Sequence, residues 1–354
     1  MSIIQTVRTF LNTKKMKKIL VTGGTGYIGS HTTVELINSG YEVVIVDNLS
    51  NSKIEVLDGI KKITGIKPKF YNIDLANEVE TKGFFEKVKY IDAIIHFAAY
   101  KAVGESVEKP LKYYRNNLNS LINILDAMKT HNITNLVFSS SCTVYGQPDV
   151  LPVTEQSPIK KAESSYGNTK QIAEEIIADF ISANPQLKTI ALRYFNPIGS
   201  HESAEIGELP LGVPDNLIPF VTQTAIGIRE QLSVFGDDYN TPDGSAVRDY
   251  IHVVDLAQAH IIAIKRLLEN KNKKHLEFFN IGTGQGNSVL EIVKTFEDVT
   301  GIQLNYKIVG RRKGDIEKVW ADTTFANNEL GWKAKKTLAD CLISAWNWEK
   351  KLRN

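Results

Sequence analysis

Tyr166 and Lys170 stand four residues apart in the run Tyr-Gly-Asn-Thr-Lys, ahead of Ile172, Ile176, Ile177 and Phe180 at helical spacing. On a helix, positions i and i+4 share a face, which sets a phenol beside an ammonium. A phenol with a pKa of about 10 is a poor base at neutral pH. Lowering it by about three units takes roughly 4 kcal/mol of preferential stabilisation of the phenolate. An adjacent ammonium, aided by a second cation in a partly dry site, can supply that, so the pair suits removal of a proton from an alcohol. Tyrosine and lysine are common on helix surfaces, and the spacing carries weight only in company. The run FSSSCTVYG over residues 138–146 offers a hydroxyl, with Ser141 the best placed, that could share a proton with the phenolate and a substrate hydroxyl. Standing alone, that run reads equally well as a polar loop leaving a strand.

The strongest local signal is VTGGTGYIG over residues 21–29, which follows a β-branched run and opens an amphipathic one. Gly23 permits a tight turn, Gly26 lets the backbone approach a pyrophosphate, and Gly29 allows the helix to pack closely on the strand. The free N–H groups of the helix N-terminus then face the phosphates. Eighteen residues past Gly29, at the end of the next apolar run, Asp47 can accept hydrogen bonds from adenosine ribose hydroxyls and would repel a phosphate there. The two features together predict a dinucleotide site that takes NAD rather than NADP. A positively charged nicotinamide is then the second cation that Tyr166 needs.

Short β-branched runs alternate with longer amphipathic ones around these positions. Strands are predicted over 19–22, 43–46, 69–71, 93–96, 135–139 and 189–192, and helices over 27–39, 53–64, 78–88, 111–130 and 165–183. Such alternation implies a parallel sheet covered on both faces, a doubly wound α/β (Rossmann) domain. Ligands bind such sheets beyond the carboxyl ends of the strands, where Gly23, Asp47 and Ser141 fall. After residue 196 the alternation stops. Loops over 196–216 lead to a helix over 217–228 and a hairpin region over 232–248. A helix over 254–268 and a strand over 278–281 return to the sheet, followed by a helix over 288–300, a strand over 303–307 and a helix from 338 to about 351. The expected organisation is an NAD-binding domain over 16–195, with returning segments at about 250–283, and a smaller, discontinuous α/β substrate domain from 196–249 and 284–354. Residues 1–15 are basic and acid-free, faintly like a transit peptide, and are expected to be a disordered or upstream-start extension.

Composition narrows the class. The 354 residues are 42% hydrophobic and 23% charged, which excludes disordered, collagenous and coiled-coil chains. Lys and Arg total 42 against 40 acids, without a basic block, so no nucleic-acid partner is expected and any anion must be met by local groups. No apolar run approaches the ~20 residues of a membrane span. Cys142 and Cys341 sit in no metal or redox spacing, which suits a reducing, cytoplasmic setting, and the seven histidines show no ligand spacing, so no metal is expected.

From Lys17 to Trp348 the chain resembles the extended short-chain dehydrogenase/reductases and, within them, the UDP-glucose 4-epimerase family. The matching runs are VTGGTGYIGSH, VVIVDNLSNS, IIHFAAYKAVGESVEKPLKYYRNN, FSSSCTVYG, YGNTK, LRYFNPIG, DNLIPF, VFGDDYNTPDGSAVRDYIHVVDLA and GRRKGDIEKVWAD. The resemblance implies that Tyr166 is the catalytic base, Lys170 its electrostatic partner and Ser141 its proton-sharing hydroxyl. It places Gly23, Gly26, Tyr27, Ile28, Gly29, Asp47, Asn48, Asp74, Leu75, Phe97, Ala98, Ala99, Lys101, Asn116 and Phe195, with Tyr166 and Lys170, around NAD. It places Ser141, Thr143, Tyr166, Asn196, Asn216, Leu217, Phe235, Arg248, Arg312, Asp315 and Val319 around the UDP-sugar, the arginines on the diphosphate.

The activity implied is reversible inversion at C4 of a UDP-hexose through a 4-keto intermediate, with NAD held tightly. Val319 stands where members confined to non-acetylated sugars tend to carry tyrosine, so UDP-GlcNAc and UDP-GalNAc are expected substrates beside UDP-glucose and UDP-galactose. A homodimer through helices 111–130 and 165–183 is likewise implied. A nucleotide-sugar 4,6-dehydratase would need an Asp-Glu pair after Thr143, where Val144 and Tyr145 stand. Net NADH production would favour a reductase or dehydrogenase of the same family, and absence of any turnover would favour a non-catalytic NAD-binding regulator.

Overall fold

A strand buried on both faces is apolar along most of its length, and the runs ahead of the chemically interesting loops follow that rule, with the terminal serines 139–141 and the partly exposed run 69–72 as exceptions. In the computed structural model, which describes residues 16–312 and 316–354, they form β1 (Lys18–Thr22), β2 (Glu42–Asp47), β3 (Lys69–Asn72), β4 (Ala93–His96), β5 (Asn135–Ser141) and β6 (Lys188–Tyr194). With β7 (Leu276–Ile281) they make one seven-stranded sheet in the order β7-β6-β5-β4-β1-β2-β3. Every pairing in it is parallel. The order reverses between β1 and β4, so their carboxyl ends diverge and open a crevice at the point where such folds bind ligands.

Alternate side chains leave the sheet on opposite faces. Ile19, Val21 and Ile45 pack with Val34 and Ile37 of helix Tyr27–Asn38 and with Leu256, Ile264 and Leu267 of helix Val253–Leu268. Leu20, Val44, Ile94 and Leu136 pack on the other side with helices Glu78–Lys87, Pro110–Thr130 and Ser165–Ala183. The last of these begins where the Ser164 side chain accepts the Gly167 N–H at 3.1 Å, an N-cap that fixes Tyr166 in the first turn.

The carboxyl-terminal half differs from the sequence expectation in its pairing. No hairpin spans 232–248. Leu232–Phe235 pairs in parallel with Tyr306–Val309, while Val247–Arg248 lies between Asn287–Ser288 and Lys318–Val319. The intervening residues close on themselves instead. Gly236 and Gly244 have φ of +81° and +78°, and the Tyr239 N–H donates to the Gly244 carbonyl at 3.0 Å, so the two flanking strands leave in different directions. The predicted strand 303–307 is observed at Tyr306–Val309, and two-residue strands such as Lys318–Val319 are too short to show a period. Ile198, Ile218, Val221, Val234, Ile292, Phe296 and Leu342 form an apolar cluster of their own. Residues 1–15, expected to be an extension, lie outside the described residues.

Candidate active site

The loop between β1 and helix Tyr27–Asn38 has no room for side chains. Gly23 has φ +70°, and a Cβ on it would stand 2.9 Å from the Ala98 nitrogen. A Cβ on Gly29 would stand 2.2 Å from the Gly23 carbonyl oxygen, so only glycine lets the helix start this close to the loop that leaves β1. At Gly26 the sole neighbour is the Gly23 oxygen at 3.1 Å, and no side chain caps the helix N-terminus. A bare, uncapped helix start behind a strand is the environment a pyrophosphate requires.

Asp47 closes the other end of the cradle. One carboxylate oxygen accepts the Thr25 N–H at 3.2 Å, and the other accepts the Leu49 N–H at 2.9 Å and the Ser52 hydroxyl at 3.2 Å. A carboxylate has about four acceptor sites, so capacity remains for a ligand hydroxyl. Asn48 and Asp74 each accept from a backbone N–H two residues on and shape the turns after β2 and β3, and Leu75 is buried behind them. Phe97, Ala98 and Ala99 follow β4, with the Ala98 N–H donating to the Thr22 hydroxyl at 3.3 Å. Ile28 is half-buried beside the loop. The Tyr27 hydroxyl donates to the Gly199 carbonyl at 2.6 Å, and Lys101 pairs with Glu208 at 3.0 Å while lying 5.8 Å above the Tyr27 ring. Asn116 donates to Asn117 at 3.0 Å, and Phe195 is buried after β6. The glycine cradle, the uncapped helix and Asp47 together fit a dinucleotide.

Three successive serines at the end of β5 meet helix Ser165–Ala183. The Lys170 ammonium, 4% exposed, donates to the Ser139 carbonyl at 2.6 Å and lies 5.9 Å from the Tyr166 ring centre. The Ser141 hydroxyl accepts the Thr143 N–H at 3.2 Å. Burial pushes the half-buried Tyr166 phenol up to about 12, opposed by a hydrogen bond with Ser141 and reinforced by Cys142. The expected depression therefore does not arise from the polypeptide alone, and the fixed dipoles and Lys170 leave a deficit for a bound cation to fill. Burial also pushes Lys170 down to about 8, with Glu174 pulling it up.

On the far wall, Thr143 has a buried hydroxyl oxygen with no hydrogen-bond partner. Arg248 donates to the Val247 carbonyl at 2.8 Å and stands in register with Val319 on the next strand. Val319 is 2% exposed and packs with Val144, Tyr145, Val153, Phe195 and Ala321. The Asn196 N–H donates to the Asp249 carbonyl at 2.9 Å. Asn216 is exposed and donates to Glu208, Leu217 is half-buried, and the Arg312 guanidinium lies 5.9 Å from the exposed Phe235 ring. Asp315 lies outside the described residues.

Two residues escaped the sequence reading. The Asn117 side chain accepts the Tyr100 N–H at 2.9 Å and donates to the Tyr100 carbonyl at 3.0 Å and to Thr169 at 3.2 Å, tying the loop after β4 to the Tyr166 helix. Buried Asp249 accepts from the Thr283 N–H at 2.8 Å and hydroxyl at 2.7 Å, the Gly284 N–H at 3.1 Å and the Ala321 N–H at 3.2 Å. It holds three chain segments around Arg248 and Val319. Only its adjacency to Arg248 in sequence hinted at it. Among the described residues, no group of three His, Cys, Asp or Glu side chains is placed to hold a metal, and no helix is long and apolar enough to cross a membrane.

A switch-point crevice with a glycine cradle on one wall and a tyrosine–lysine–serine set on the other defines an extended short-chain dehydrogenase/reductase site. Comparison with known proteins narrows the class. Residues 20–344 match the family model described as GDP-mannose 4,6 dehydratase. The UDP-glucose 4-epimerase of Bacillus subtilis is 50% identical over 331 residues, covering 94% of this chain and 96% of that protein. The crystal structure of UDP-glucose 4-epimerase from Bifidobacterium longum in complex with NAD+ and UDP superposes with a TM-score of 0.91 at 46% identity, covering 96% and 99% of the two chains. The Stenotrophomonas maltophila enzyme, with bound NAD and formylated UDP-arabinopyranose, gives a TM-score of 0.91 at 45% identity over 95% and 99%. The chain belongs to the UDP-glucose 4-epimerase family.

Proposed function

We propose that this protein interconverts UDP-glucose and UDP-galactose by inverting C4 of the sugar, and that NAD stays bound throughout. The observation that carries the reading is topological: the Gly23–Gly29 cradle leaves the carboxyl end of β1 and Ser141 ends β5, with only β4 between them in the sheet, while Lys170 of the Tyr166 helix is hydrogen-bonded to Ser139 and lies 5.9 Å from the Tyr166 ring centre. Bound NAD supplies the oxidising power, accepting hydride from C4 and returning it. Tyr166 takes the proton of the sugar 4-hydroxyl and gives it back, Ser141 steadies that proton by hydrogen bonding to the phenol and the sugar oxygen, and Lys170 stabilises the phenolate through its charge. Asp47 holds the adenosine ribose and the helix beginning at Tyr27 the pyrophosphate. Arg248 and Arg312 bind the UDP diphosphate, and Asp315, Phe235, Asn196, Asn216, Leu217 and Thr143 complete the UDP-sugar pocket. The diphosphate is fixed so that the keto sugar can turn its other face to the crevice.

Valine at 319, smaller than the tyrosine expected in members confined to non-acetylated sugars, supports a wider reading in which the N-acetylated UDP-hexoses also enter. The separate apolar cluster around Val221 and Phe296 supports the division into an NAD-binding unit over 16–195 with 250–283 and a UDP-sugar unit over 196–249 and 284–354. The reading includes a cytoplasmic homodimer packed through helices Pro110–Thr130 and Ser165–Ala183. Elimination of water is disfavoured because Val144 and Tyr145, both fully buried, occupy the positions after Thr143. The test is incubation of the purified protein with each UDP-sugar and no added cofactor, with the 4-epimers resolved. Interconversion without net NADH supports the reading. Net reduction or oxidation, or no turnover, overturns it. A monomer mass by light scattering would overturn the dimer alone.

A further inference from the structure

Helix Ser165–Ala183 sets Tyr166, Lys170 and Glu174 on one face at four-residue intervals, and each meets one of the three successive serines of β5. Tyr166 meets the Ser141 hydroxyl, Lys170 the Ser139 carbonyl at 2.6 Å, and Glu174 the Ser140 hydroxyl at 2.5 Å. Glu174 is 8% exposed and no part of the mechanism uses it. Its two carboxylate oxygens accept from Nε and Nη2 along one edge of the Arg193 guanidinium, at 2.9 and 2.6 Å. Arg193 is itself fixed, its other nitrogen donating to the Tyr145 hydroxyl at 3.1 Å, which donates to Asn280 at 2.6 Å. A buried ion pair is a poor investment for stability alone, since replacement by apolar groups of similar volume is often neutral or better. Its place one turn from Lys170 gives it another use.

The geometry points to Glu174 as a positioning residue for the proton transfer, a fixed anion that keeps the Lys170 ammonium charged beneath Tyr166 and locks the helix in register with the serines. The inference rests on the epimerase reading for its catalytic consequence and not for its electrostatics. The titratable and charged groups facing Lys170 and Tyr166 are His96 from β4, Cys142 after β5, Arg193 and Tyr194 from β6, and Glu174. Burial holds His96 down to about 3 and Cys142 up to about 12, so both are neutral near pH 7. Burial also raises the Tyr194 phenol, leaving it neutral. Glu174 is the one anion among them. It raises the affinity of Lys170 for its proton against burial, which pulls the other way.

Replacing Glu174 by Gln removes that anion and leaves Arg193 uncompensated, and both changes lower the proton affinity of Lys170. The side-chain titration of Lys170, followed by heteronuclear NMR and assigned by difference from Lys170→Met, should move down by about one pH unit or more. In steady-state assays the basic limb of the kcat profile should move down with it, so that kcat falls about tenfold on the alkaline side while KM is unchanged. Glu174→Asp, which keeps the charge, should restore most of the titration midpoint. An unmoved or raised midpoint in Glu174→Gln overturns the proposal, even if kcat falls. Should that variant not fold, the wild type decides: Lys170 must titrate as an ammonium at pH 7, and a neutral amine there overturns the proposal. A midpoint shift in Glu174→Gln together with no epimerisation by the wild type would instead defeat the functional reading and leave this one standing.

Discussion

Lys170 donates its hydrogen bond to the carbonyl of Ser139 at 2.6 Å, while the Tyr166 ring centre lies 5.9 Å from the same nitrogen. The amine is anchored on the strand and makes no hydrogen bond to the phenol, so under the proposed function its loss should remove rate rather than shape. Lys170→Met should lower kcat by at least about 100-fold, as should Tyr166→Phe, with circular dichroism unchanged. Burial also lets the sign of the stability effect be worked out. The folded-state pKa of about 8 lies below the ordinary 10.5, so charging the buried amine costs roughly 3 kcal/mol below pH 8, a cost relieved as pH rises from about 8 towards 10.5. Less the hydrogen bond to Ser139, Lys170→Met should be more stable than the wild type by about 1 to 2 kcal/mol at pH 7 in urea unfolding, with the advantage disappearing at alkaline pH.

Gly29 admits no side chain, because a Cβ there would overlap the Gly23 carbonyl oxygen at 2.2 Å. Gly29→Ala must displace the loop from the helix start and so spoil the arrangement of N–H groups offered to a pyrophosphate. Released protein should carry less than about a tenth of the wild-type NAD by extraction and absorbance. Full retention would contradict the cradle.

Four buried histidines set the acid limit. Burial holds His31 and His96 down to about 3 and His252 and His260 down to about 4, with 1%, 2%, 4% and 0% of their surface exposed. Below the ordinary histidine range the unfolded chain binds protons that the folded one does not, so stability falls as pH falls from about 6.5 towards 4. Denaturant titrations across that window should show uptake of about four protons on unfolding from these groups alone. His96→Asn should remove about one of them and flatten the slope accordingly.

Val319 packs with Phe195, Val153, Tyr145 and Ala321 and is 2% exposed, so a larger residue there must displace these neighbours. Val319→Tyr should reduce turnover of UDP-GlcNAc by more than about tenfold relative to UDP-galactose. Comparable turnover of both sugars in the variant would remove the pocket explanation.

Asp249 accepts four hydrogen bonds from residues 283, 284 and 321 and is fully buried. Asp249→Ala strands those donors and should destabilise the fold by about 3 to 5 kcal/mol. In whatever fraction folds, KM for the UDP-sugar should rise, since Arg248 and the Val319 strand lose their common anchor.

The parallel sheet, the glycine cradle with Asp47, and the helix that begins at Ser165 were all legible in the sequence, because each is written in local terms. Continuous apolar runs, three glycines at fixed offsets and a 3.6-residue stripe depend on near neighbours in the chain. What tertiary structure alone decided is non-local. The partner of Leu232–Phe235 lies some seventy residues on at Tyr306–Val309, and two-residue strands such as Lys318–Val319 acquire their identity only from the chain beside them. The buried contacts of Glu174 with Arg193 and of Asp249 with residues 283, 284 and 321 follow the same rule. A carboxylate reads the same in sequence whether it is solvated or buried, and only the folded packing, which strips its water and brings donors from distant segments, fixes it in place beside the candidate active site.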